Sequence, residues 1–244
     1  MQQTIYTSIL EAKKQGKKLF AVLVDPDKFK STEVIRLCES ANVDFIMVGG
    51  SIITNGNFEE CIQTIKKHTK IPVLIFPGNN LQISKSADGI LLLSLISGRN
   101  ADMLIGNHVV ASTKLKSSNL EILSTGYMLI ESGKQTAASY MSNTNPIPFD
   151  KDDIAMATAM AGEMLGLKLI YLDAGSGAIN NVSETMINKV SINTNVPLIV
   201  GGGINSSEKA VTACKSGADV VVIGNAIEKD PSLIQSISKA IHAF

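Results

Sequence analysis

Two glycine-rich segments near the end of the chain combine the residue types that bind phosphate. They are Gly-Gly-Gly at residues 201–203 and Gly-Asn at residues 224–225, and each follows an apolar run. Glycine lets the backbone approach an anion closely and point N–H groups at its oxygens, and a helix N-terminus adds partial positive charge. Two tight turns without a ligand would look similar. The paired positions nevertheless predict a phosphate site, without identifying the molecule that carries the phosphate.

A carboxylate and a hydroxyl occur in a third segment, Asp-Ala-Gly-Ser-Gly at residues 173–177. Asp173 could accept a proton from a substrate hydroxyl or hold that hydroxyl in place. Ser176 could contribute to the site or simply cap a helix. The segment therefore adds a carboxylate and a hydroxyl beside the predicted phosphate site, and its glycines could also bind the phosphate.

A second acidic segment, Asp-Pro-Asp-Lys at residues 25–28, follows the first apolar run. A carboxylate from Asp25 or Asp27, with the hydroxyl of Ser51, would make a partial Mg²⁺ site, because Mg²⁺ keeps several waters and is often completed by substrate phosphates. Taken alone, the segment could equally be a turn and helix start.

The histidines and cysteines show no catalytic or metal-ligating spacing, and the histidines fall in helical stretches away from strand ends. They are His68, His108, His242, Cys38, Cys61 and Cys214. Widely spaced cysteines without a CxxC pair are typical of packed thiols in a reducing compartment.

Eight short apolar runs alternate with amphipathic stretches, which is the pattern of a parallel sheet covered by helices. The runs span residues 19–24, 45–48, 73–76, 90–93, 127–130, 169–172, 198–200 and 220–223. Eight strands are the number that closes a barrel, and residues that follow the strands then share one rim. We therefore predict an α/β protein with a single (β/α)8 TIM-type barrel domain over residues 1–244.

Most of the helices between the runs can be predicted from the sequence. An extra helix before the first strand is predicted from Ile5, Ile9 and Leu10, while Ser31 and Asp150 are predicted helix caps. The helix after Asp150 is rich in Ala and Met, so we expect it to pack closely on the barrel or on a second subunit. A homo-oligomer is the favoured expectation.

Two segments depart from the regular plan. Only twelve residues separate Phe76 from Gly89, so the third helix is predicted to be missing or vestigial. Residues 131–149 form a long polar segment, which predicts a loop that acts as a lid.

Composition excludes several classes of protein. Lys and Arg total 22, as do Asp and Glu, so the chain has no basic footprint for nucleic acid or an acidic membrane surface. The longest apolar stretch, residues 90–96, is too short to span a bilayer, and the N-terminus does not resemble a signal peptide. We expect a cytoplasmic protein without stable membrane insertion or a nucleic-acid partner.

Together these segments resemble the geranylgeranylglyceryl phosphate synthase family, which also includes the bacterial heptaprenylglyceryl phosphate synthases. They follow the family's order along nearly the whole chain. They are DPDK (25–28), VGGS (48–51), FPGN (76–79), SYMSNTNPIP (139–148), YLDAGSGA (171–178), GGGI (201–204) and GNAIEK (224–229).

The resemblance implies a prenyltransferase. The C3 hydroxyl of sn-glycerol 1-phosphate would attack C1 of a polyprenyl diphosphate, with geranylgeranyl diphosphate the expected donor, and release pyrophosphate. Mg²⁺ would be held at Asp25 and Ser51, and Asp173 would be the catalytic residue. The implied glycerol phosphate ligands are Tyr171, Leu172, Asp173, Ala174, Gly175, Ser176, Gly177, Gly202, Gly203, Gly224 and Asn225.

One position departs from the family pattern. Many archaeal members resemble YLEAGSGA, with Glu where this chain has Asp173. Asp is one methylene shorter, which removes about 1.5 Å of reach. The loop could move inward, a water could intervene, or Asp173 could orient the substrate without taking its proton.

A missing third helix would open a path for a polyprenyl tail, with Leu91, Leu93 and Ile96 near it. Tyr140 would help to cover the bound prenyl tail.

Two other functions remain open from the residues alone. An FMN-dependent oxidoreductase would share the glycine segments, and a non-catalytic phosphate-binding or assembly protein could retain them.

Overall fold

The computed structural model describes residues 4–244, in which eight parallel strands close into one barrel in the order of the sequence. The strands are β1 (Leu19–Val24), β2 (Phe45–Val48), β3 (Val73–Ile75), β4 (Gly89–Leu95), β5 (Glu121–Leu129), β6 (Leu169–Asp173), β7 (Leu198–Gly201) and β8 (Val220–Ile223). The pairing of β1 with β8, Leu19 opposite Val220, completes the ring. The predicted (β/α)8 barrel is confirmed.

Most predicted runs coincide with the observed strands to within a residue or two, but β5 begins at Glu121 rather than Tyr127. Its first six residues include Glu121, Ser124, Thr125 and Gly126, so this part of the strand lacks the continuous apolar run that marks the other strands. The strand is held there by seven paired positions along β4, beginning with Gly89 opposite Glu121.

Helices surround the barrel and close its amino-terminal end. They are α1 (Thr4–Lys14), α2 (Glu33–Ser40), α3 (Phe58–His68), α4 (Asn107–Lys116), α5 (Ala137–Ser142), α6 (Asp152–Met164), α7 (Glu184–Asn193), α8 (Ser207–Lys215), α9 (Asn225–Lys229) and α10 (Leu233–Ile241). A π-helical turn, Asp102–Gly106, leads directly into α4.

The extra helix α1 is confirmed and plugs the bottom of the barrel. Ile5 and Ile9 are buried with the side chains of the barrel interior. The buried carboxylate of Glu121 accepts hydrogen bonds from the backbone N–H groups of Ile5 (2.8 Å) and Tyr6 (2.7 Å). A carboxylate at a helix N-terminus satisfies otherwise unpaired donors and opposes the helix dipole. Helix α1 therefore closes the lower end of the barrel, and the residues that follow the strands lie at the opposite rim.

Of the two predicted helix caps, Ser31 is confirmed by its side-chain hydrogen bond, whereas Asp150 is wrong. Thr32 directly precedes α2 but makes no side-chain capping bond, and Ser31 Oγ instead accepts a 3.1 Å hydrogen bond from the Glu33 N–H at the start of the helix. The N-cap of α6 is Lys151 rather than Asp150, because the Lys151 N–H first closes a turn onto the Pro148 carbonyl.

Within the described chain, β3 and β4 are joined without a helix, as predicted. Gln82 organises the connection: its side-chain amide donates to the Gly50 carbonyl (2.8 Å) and its side-chain oxygen accepts from the Gly78 N–H (3.1 Å). The connection therefore folds against the loop after β2 and leaves a gap in the outer ring of helices.

The segment after β5 is more ordered than the sequence predicted. It contains the short helix α5, begun by a reciprocal capping box between Thr136 and Ser139. Its far end returns to the barrel, where the Ile147 N–H donates to the Leu129 carbonyl at 2.8 Å. The polar residues of this segment are thus used in caps, which composition alone does not reveal. Among the described residues, no helix is both long and apolar enough to cross a membrane.

Candidate active site

A polar cavity of about 430 Å³ opens at the carboxyl ends of the strands. Its lining includes predicted site residues from both sides of the rim. These are Asp25, Ser51, Tyr171, Asp173, Gly175, Ser176, Gly177, Gly202, Gly203, Gly224 and Asn225. The barrel therefore brings together segments that are up to 200 residues apart in the sequence.

Glycines line one side of this cavity in conformations that other residues rarely adopt. Gly175, Gly177, Gly202 and Gly203 all have positive φ, with Gly202 at +81°. A Cβ at Gly202 would lie only 2.5 Å from the Gly175 nitrogen and 2.8 Å from Asp173 Oδ1. We call residues 175–177, 202–203 and 224–225 the phosphate cradle. Only glycine fits at Gly202. Its lack of a side chain lets the loop after β7 lie against the loop after β6 and leaves the backbone accessible to a ligand.

Gly201 has a different role from its neighbours. A Cβ there would lie 2.5 Å from the Tyr171 hydroxyl oxygen. Gly201 therefore makes room for the Tyr171 ring inside the barrel.

A side-chain hydrogen bond connects the loops after β6 and β8. Ser176 Oγ donates to Asn225 Oδ1 at 2.8 Å.

Asp173 ends β6 and is buried at the base of the cavity. Its Oδ2 accepts a 2.6 Å hydrogen bond from the Tyr127 hydroxyl, and its Oδ1 accepts a 2.7 Å hydrogen bond from the Gly175 N–H. Burial raises the pKa of the carboxyl, and these two hydrogen bonds partly offset the rise. Since each carboxylate oxygen has two lone pairs, Asp173 can still accept a further hydrogen bond from a substrate hydroxyl.

Three aromatic rings form the floor beneath Asp173. Phe76 stacks on Tyr171 with ring centroids 5.4 Å apart, and Tyr127 meets both rings edge-on at 5.8 and 5.5 Å. Burial, followed by the nearby Asp173 charge, raises the pKa of both tyrosines well above the usual value. The phenols therefore stay protonated, and Tyr127 acts as a hydrogen-bond donor.

The two aspartates of the acidic segment after β1, Asp25 and Asp27, have different roles. Asp27 accepts hydrogen bonds from the backbone N–H groups of Thr54 and Gly56, which lower its pKa to about 2, so it organises the loop after β2. Asp25 instead faces the cavity, where Lys28 Nζ lies 3.1 Å from its Oδ2. Burial lowers the pKa of Lys28, but its bonds to Glu228 and Asp25 outweigh this and raise it.

The surroundings of Asp25 suit a Mg²⁺ ion that is shared with a substrate. Asp25 and Ser51 both line the cavity, and a Cβ at the intervening Gly50 would lie 3.5 Å from Asp25 Oδ1. Within residues 4–244 no cluster of three His, Cys, Asp or Glu side chains could hold a metal alone. One carboxylate and one hydroxyl leave positions for water and phosphate oxygens, as Mg²⁺ prefers.

An apolar groove of about 140 Å³ joins the polar cavity and runs through the gap left by the missing helix. It lies between the β3–β4 connection and α4. Its lining includes Ile83, Ile90, Leu92, Leu93, Leu95, Met103, Ala111, Leu115 and Leu129. The groove and the cavity share five residues, which are Gly50, Ser51, Phe76, Tyr127 and Ala138.

Several predicted residues lie elsewhere. Leu172 and Ala174 are buried in the outer core, so their side chains face away from the cavity. Leu93 lines the groove as predicted, whereas Leu91 is enclosed in the barrel interior and Ile96 faces α6.

The covering segment also differs from the prediction. The side chain of Tyr140 is 71% exposed, and neither the cavity nor the groove includes it. Ala138 and Met141 from the same helix line the groove instead.

Other contributors were not identified from the sequence. Tyr127 lies within an apolar strand, where nothing distinguishes a site residue from a core residue, and Phe76 stands out only as the first residue of the FPGN motif. His108, which showed no catalytic spacing, lines the groove, and burial lowers its pKa. Lys28 and Glu228 lie inside motifs that the sequence singled out, so their charge could have drawn attention to them.

Known proteins share both the sequence and this architecture. The PcrB family matches residues 10–242. A geranylgeranylglyceryl phosphate synthase from Chitinophaga pinensis is 51% identical over 100% of this chain and 98% of its own length. An enzyme of the same name from Pyrococcus furiosus is 40% identical, covering 94% of this chain and 92% of its own length.

A solved structure extends the likeness to three dimensions. It is (S)-3-O-geranylgeranylglyceryl phosphate synthase from Thermoplasma acidophilum, in complex with its substrate sn-glycerol-1-phosphate. It superposes with a TM-score of 0.91 at 30% identity and covers 99% of both chains. The chain therefore belongs to the PcrB family and is a homologue of the geranylgeranylglyceryl phosphate synthases.

Proposed function

We propose that this protein transfers a polyprenyl group from its diphosphate, expected to be geranylgeranyl diphosphate, to the C3 hydroxyl of sn-glycerol 1-phosphate. One observation carries the proposal: a polar cavity with a phosphate cradle meets an apolar groove at shared residues. A donor with a charged head and a hydrocarbon tail needs both environments in contact. A flavin would use the cradle but would leave the groove without a role.

The glycerol phosphate fits the side of the cavity formed by β6, β7 and β8. Its phosphate would lie in the phosphate cradle, where backbone N–H groups of glycines can reach its oxygens. Its C3 hydroxyl would then point toward Asp173 at the base of the cavity. This placement is supported by the solved Thermoplasma acidophilum relative, which binds sn-glycerol-1-phosphate.

The prenyl diphosphate fits the opposite side. Ser51 lines both the cavity and the groove, so a diphosphate beside Ser51 and Asp25 would leave its first prenyl carbon at the mouth of the groove. We propose that Asp25 and Ser51 hold Mg²⁺, which supplies charge neutralisation for the pyrophosphate leaving group.

In the transfer step the C3 oxygen forms a bond to C1 of the prenyl group. The bond between C1 and the diphosphate oxygen breaks, and its electron pair leaves with pyrophosphate. Asp173 accepts the proton of the C3 hydroxyl; its raised pKa makes it a better base than an exposed carboxylate. Ala138 and Met141 of α5 cover the groove and help to exclude water from the allylic carbon.

A transfer assay tests this proposal. Purified protein is mixed with Mg²⁺, radiolabelled sn-glycerol 1-phosphate and prenyl diphosphates of several lengths. We expect label in the organic extract and none when Mg²⁺ is chelated. No extractable label with any donor would contradict the proposed function.

We further propose a cytoplasmic homo-oligomer. Large apolar side chains are exposed on α4 and at the end of α6, including Val109 (66%), Val110 (68%), Met164 (79%) and Leu165 (80%). Exposed apolar side chains of this size favour an interface with another copy. Sedimentation velocity that gives only the monomer mass at micromolar concentration would contradict it.

A further inference from the structure

A row of three charged side chains connects the two substrate sides of the cavity. Lys28 Nζ lies 3.1 Å from Asp25 Oδ2 and 3.0 Å from Glu228 Oε2. All three residues line the cavity. Asp25 belongs to the loop after β1, where we place the cation, and Glu228 belongs to α9, which begins at the phosphate cradle residue Asn225. Lys28 therefore lies between the two sides.

Both oxygens of Asp25 already have partners. Oδ1 accepts a 3.0 Å hydrogen bond from the Asp27 N–H, and Oδ2 faces the Lys28 ammonium. A divalent cation that binds Asp25 would meet this ammonium at close range, and like charges repel. The ammonium must move away from Asp25, and moving it into water would abandon its ion pair.

Glu228 supplies the alternative partner. Its carboxylate already accepts a hydrogen bond from Lys28, so the ammonium can leave Asp25 without losing all of its neutralising charge. The side chain of Lys28 is half exposed (49%), and a four-carbon stem allows small displacements.

We propose that Lys28 is an exchangeable counter-ion of Asp25 and that Glu228 is the positioning residue that holds Lys28 when a divalent cation takes its place. This inference rests on the proposed cation site of the prenyltransferase. Lys28 keeps Asp25 neutralised before the cation arrives, which preserves the loop after β1 in its cation-binding position. Glu228 lowers the free-energy cost of the exchange. Because Glu228 lies on α9, which begins at Asn225, it also connects the exchange to the phosphate cradle.

Cation binding to the whole protein without substrates tests the inference. Mn²⁺ serves as the probe, and its affinity is measured by electron paramagnetic resonance of the free ion. We expect Lys28→Met to bind Mn²⁺ about fivefold more tightly, because the competing ammonium is gone. We expect Glu228→Gln to bind about threefold more weakly, because Lys28 then rests on Asp25 alone. Lys30→Met, an exposed lysine of the same loop, removes equal charge and serves as the control.

The double variant that combines Lys28→Met with Glu228→Gln distinguishes this exchange from a direct electrostatic effect of Glu228 on the cation. If Glu228 acts through Lys28, Glu228→Gln has almost no effect on Mn²⁺ affinity once Lys28 is Met. If Glu228 contacts the cation or acts only by its charge, the threefold loss persists in both backgrounds, and the inference is overturned. Weaker or unchanged binding by Lys28→Met also overturns it, and Lys28→Gln repeats the test with a different side chain.

Failure here is distinguishable from failure of the proposed function. Prenyl transfer by the wild-type protein, measured separately, can succeed while the Mn²⁺ affinities contradict the exchange. A wild-type protein that binds no Mn²⁺ overturns the exchange whatever the transfer assay gives. If the exchange operates, the Mg²⁺ concentration for half-maximal transfer falls in Lys28→Met and rises in Glu228→Gln.

Discussion

The hydroxyl of Tyr127 donates a 2.6 Å hydrogen bond to Oδ2 of Asp173, and both side chains are buried in the barrel. Tyr127 lies on β5 and Asp173 ends β6, so the bond joins two neighbouring strands beneath the reacting groups. Burial favours the neutral carboxyl, whereas this bond favours the carboxylate. The balance between them sets the protonation of the proposed base.

Removing the Tyr127 hydroxyl shifts this balance. In Tyr127→Phe the pKa of Asp173 rises further, because the bond that stabilises the carboxylate is lost. The base then becomes protonated at higher pH, so the acidic limb of the kcat/KM profile moves to higher pH. We also expect about a tenfold loss of rate at neutral pH. Tyr171→Phe removes a second buried phenol that makes no hydrogen bond to Asp173, and it should leave the limb in place. Equal shifts in both variants would contradict this role.

Asp173→Asn separates catalysis from stability. The folded-state pKa of Asp173 is raised above its unfolded value, so its ionised form destabilises the fold as pH rises through the folded pKa. Asn cannot ionise. We therefore expect the stability of wild type relative to Asp173→Asn, followed as Tm at several pH values, to fall as pH rises through the folded pKa of Asp173, and the transfer rate of the variant to be lower by about a hundredfold or more. A variant that keeps its activity would show that Asp173 does not take the proton.

Gly202 tests the phosphate cradle. Gly202→Ala places a Cβ 2.5 Å from the Gly175 nitrogen, so the loops must separate. We expect affinity for sn-glycerol 1-phosphate, measured by calorimetry, to fall at least tenfold. Gly166→Ala is the matched control, since Gly166 also has a positive φ, +84°, but a Cβ there meets nothing within 4 Å. Both variants carry the backbone strain, about 1 kcal/mol, and only Gly202→Ala should lose affinity. An equal loss in both would make the effect one of strain alone.

The apolar groove is tested on helix α4. Ala111 lines the groove, so Ala111→Phe fills space that the prenyl tail would occupy. We expect KM for the longest accepted prenyl diphosphate to rise about tenfold, with affinity for glycerol phosphate unchanged. Ser112→Phe adds a ring at an exposed position of the same helix, outside the groove, and serves as the control. A KM that does not respond to Ala111→Phe would place the tail elsewhere.

The strand-end residues were predictable from the sequence for a simple reason. In a parallel barrel every strand delivers its following residues to one rim, so Asp25, Ser51, Asp173 and the glycines could be assigned together once eight runs were recognised. The missing third helix followed from chain length alone, because twelve residues cannot hold a full crossover.

The remainder depended on three-dimensional detail. Strands buried on both faces give continuous apolar runs, so the sequence could not distinguish Leu91 in the barrel interior from Leu92 at the groove. The same ambiguity concealed the floor residue Tyr127. The helix α5 arises from a local capping box at Thr136, and a polar composition does not separate such caps from an open loop.

The most direct test of the central claim follows the oxygen that forms the ether. Glycerol phosphate is labelled with a heavy oxygen isotope at the C3 hydroxyl and incubated with the protein, Mg²⁺ and a prenyl diphosphate. We expect mass spectrometry to find the label in the prenyl ether product and none in the released pyrophosphate, because the hydroxyl oxygen attacks C1. An unlabelled ether, label in pyrophosphate, or only hydrolysed prenyl alcohol would contradict the account.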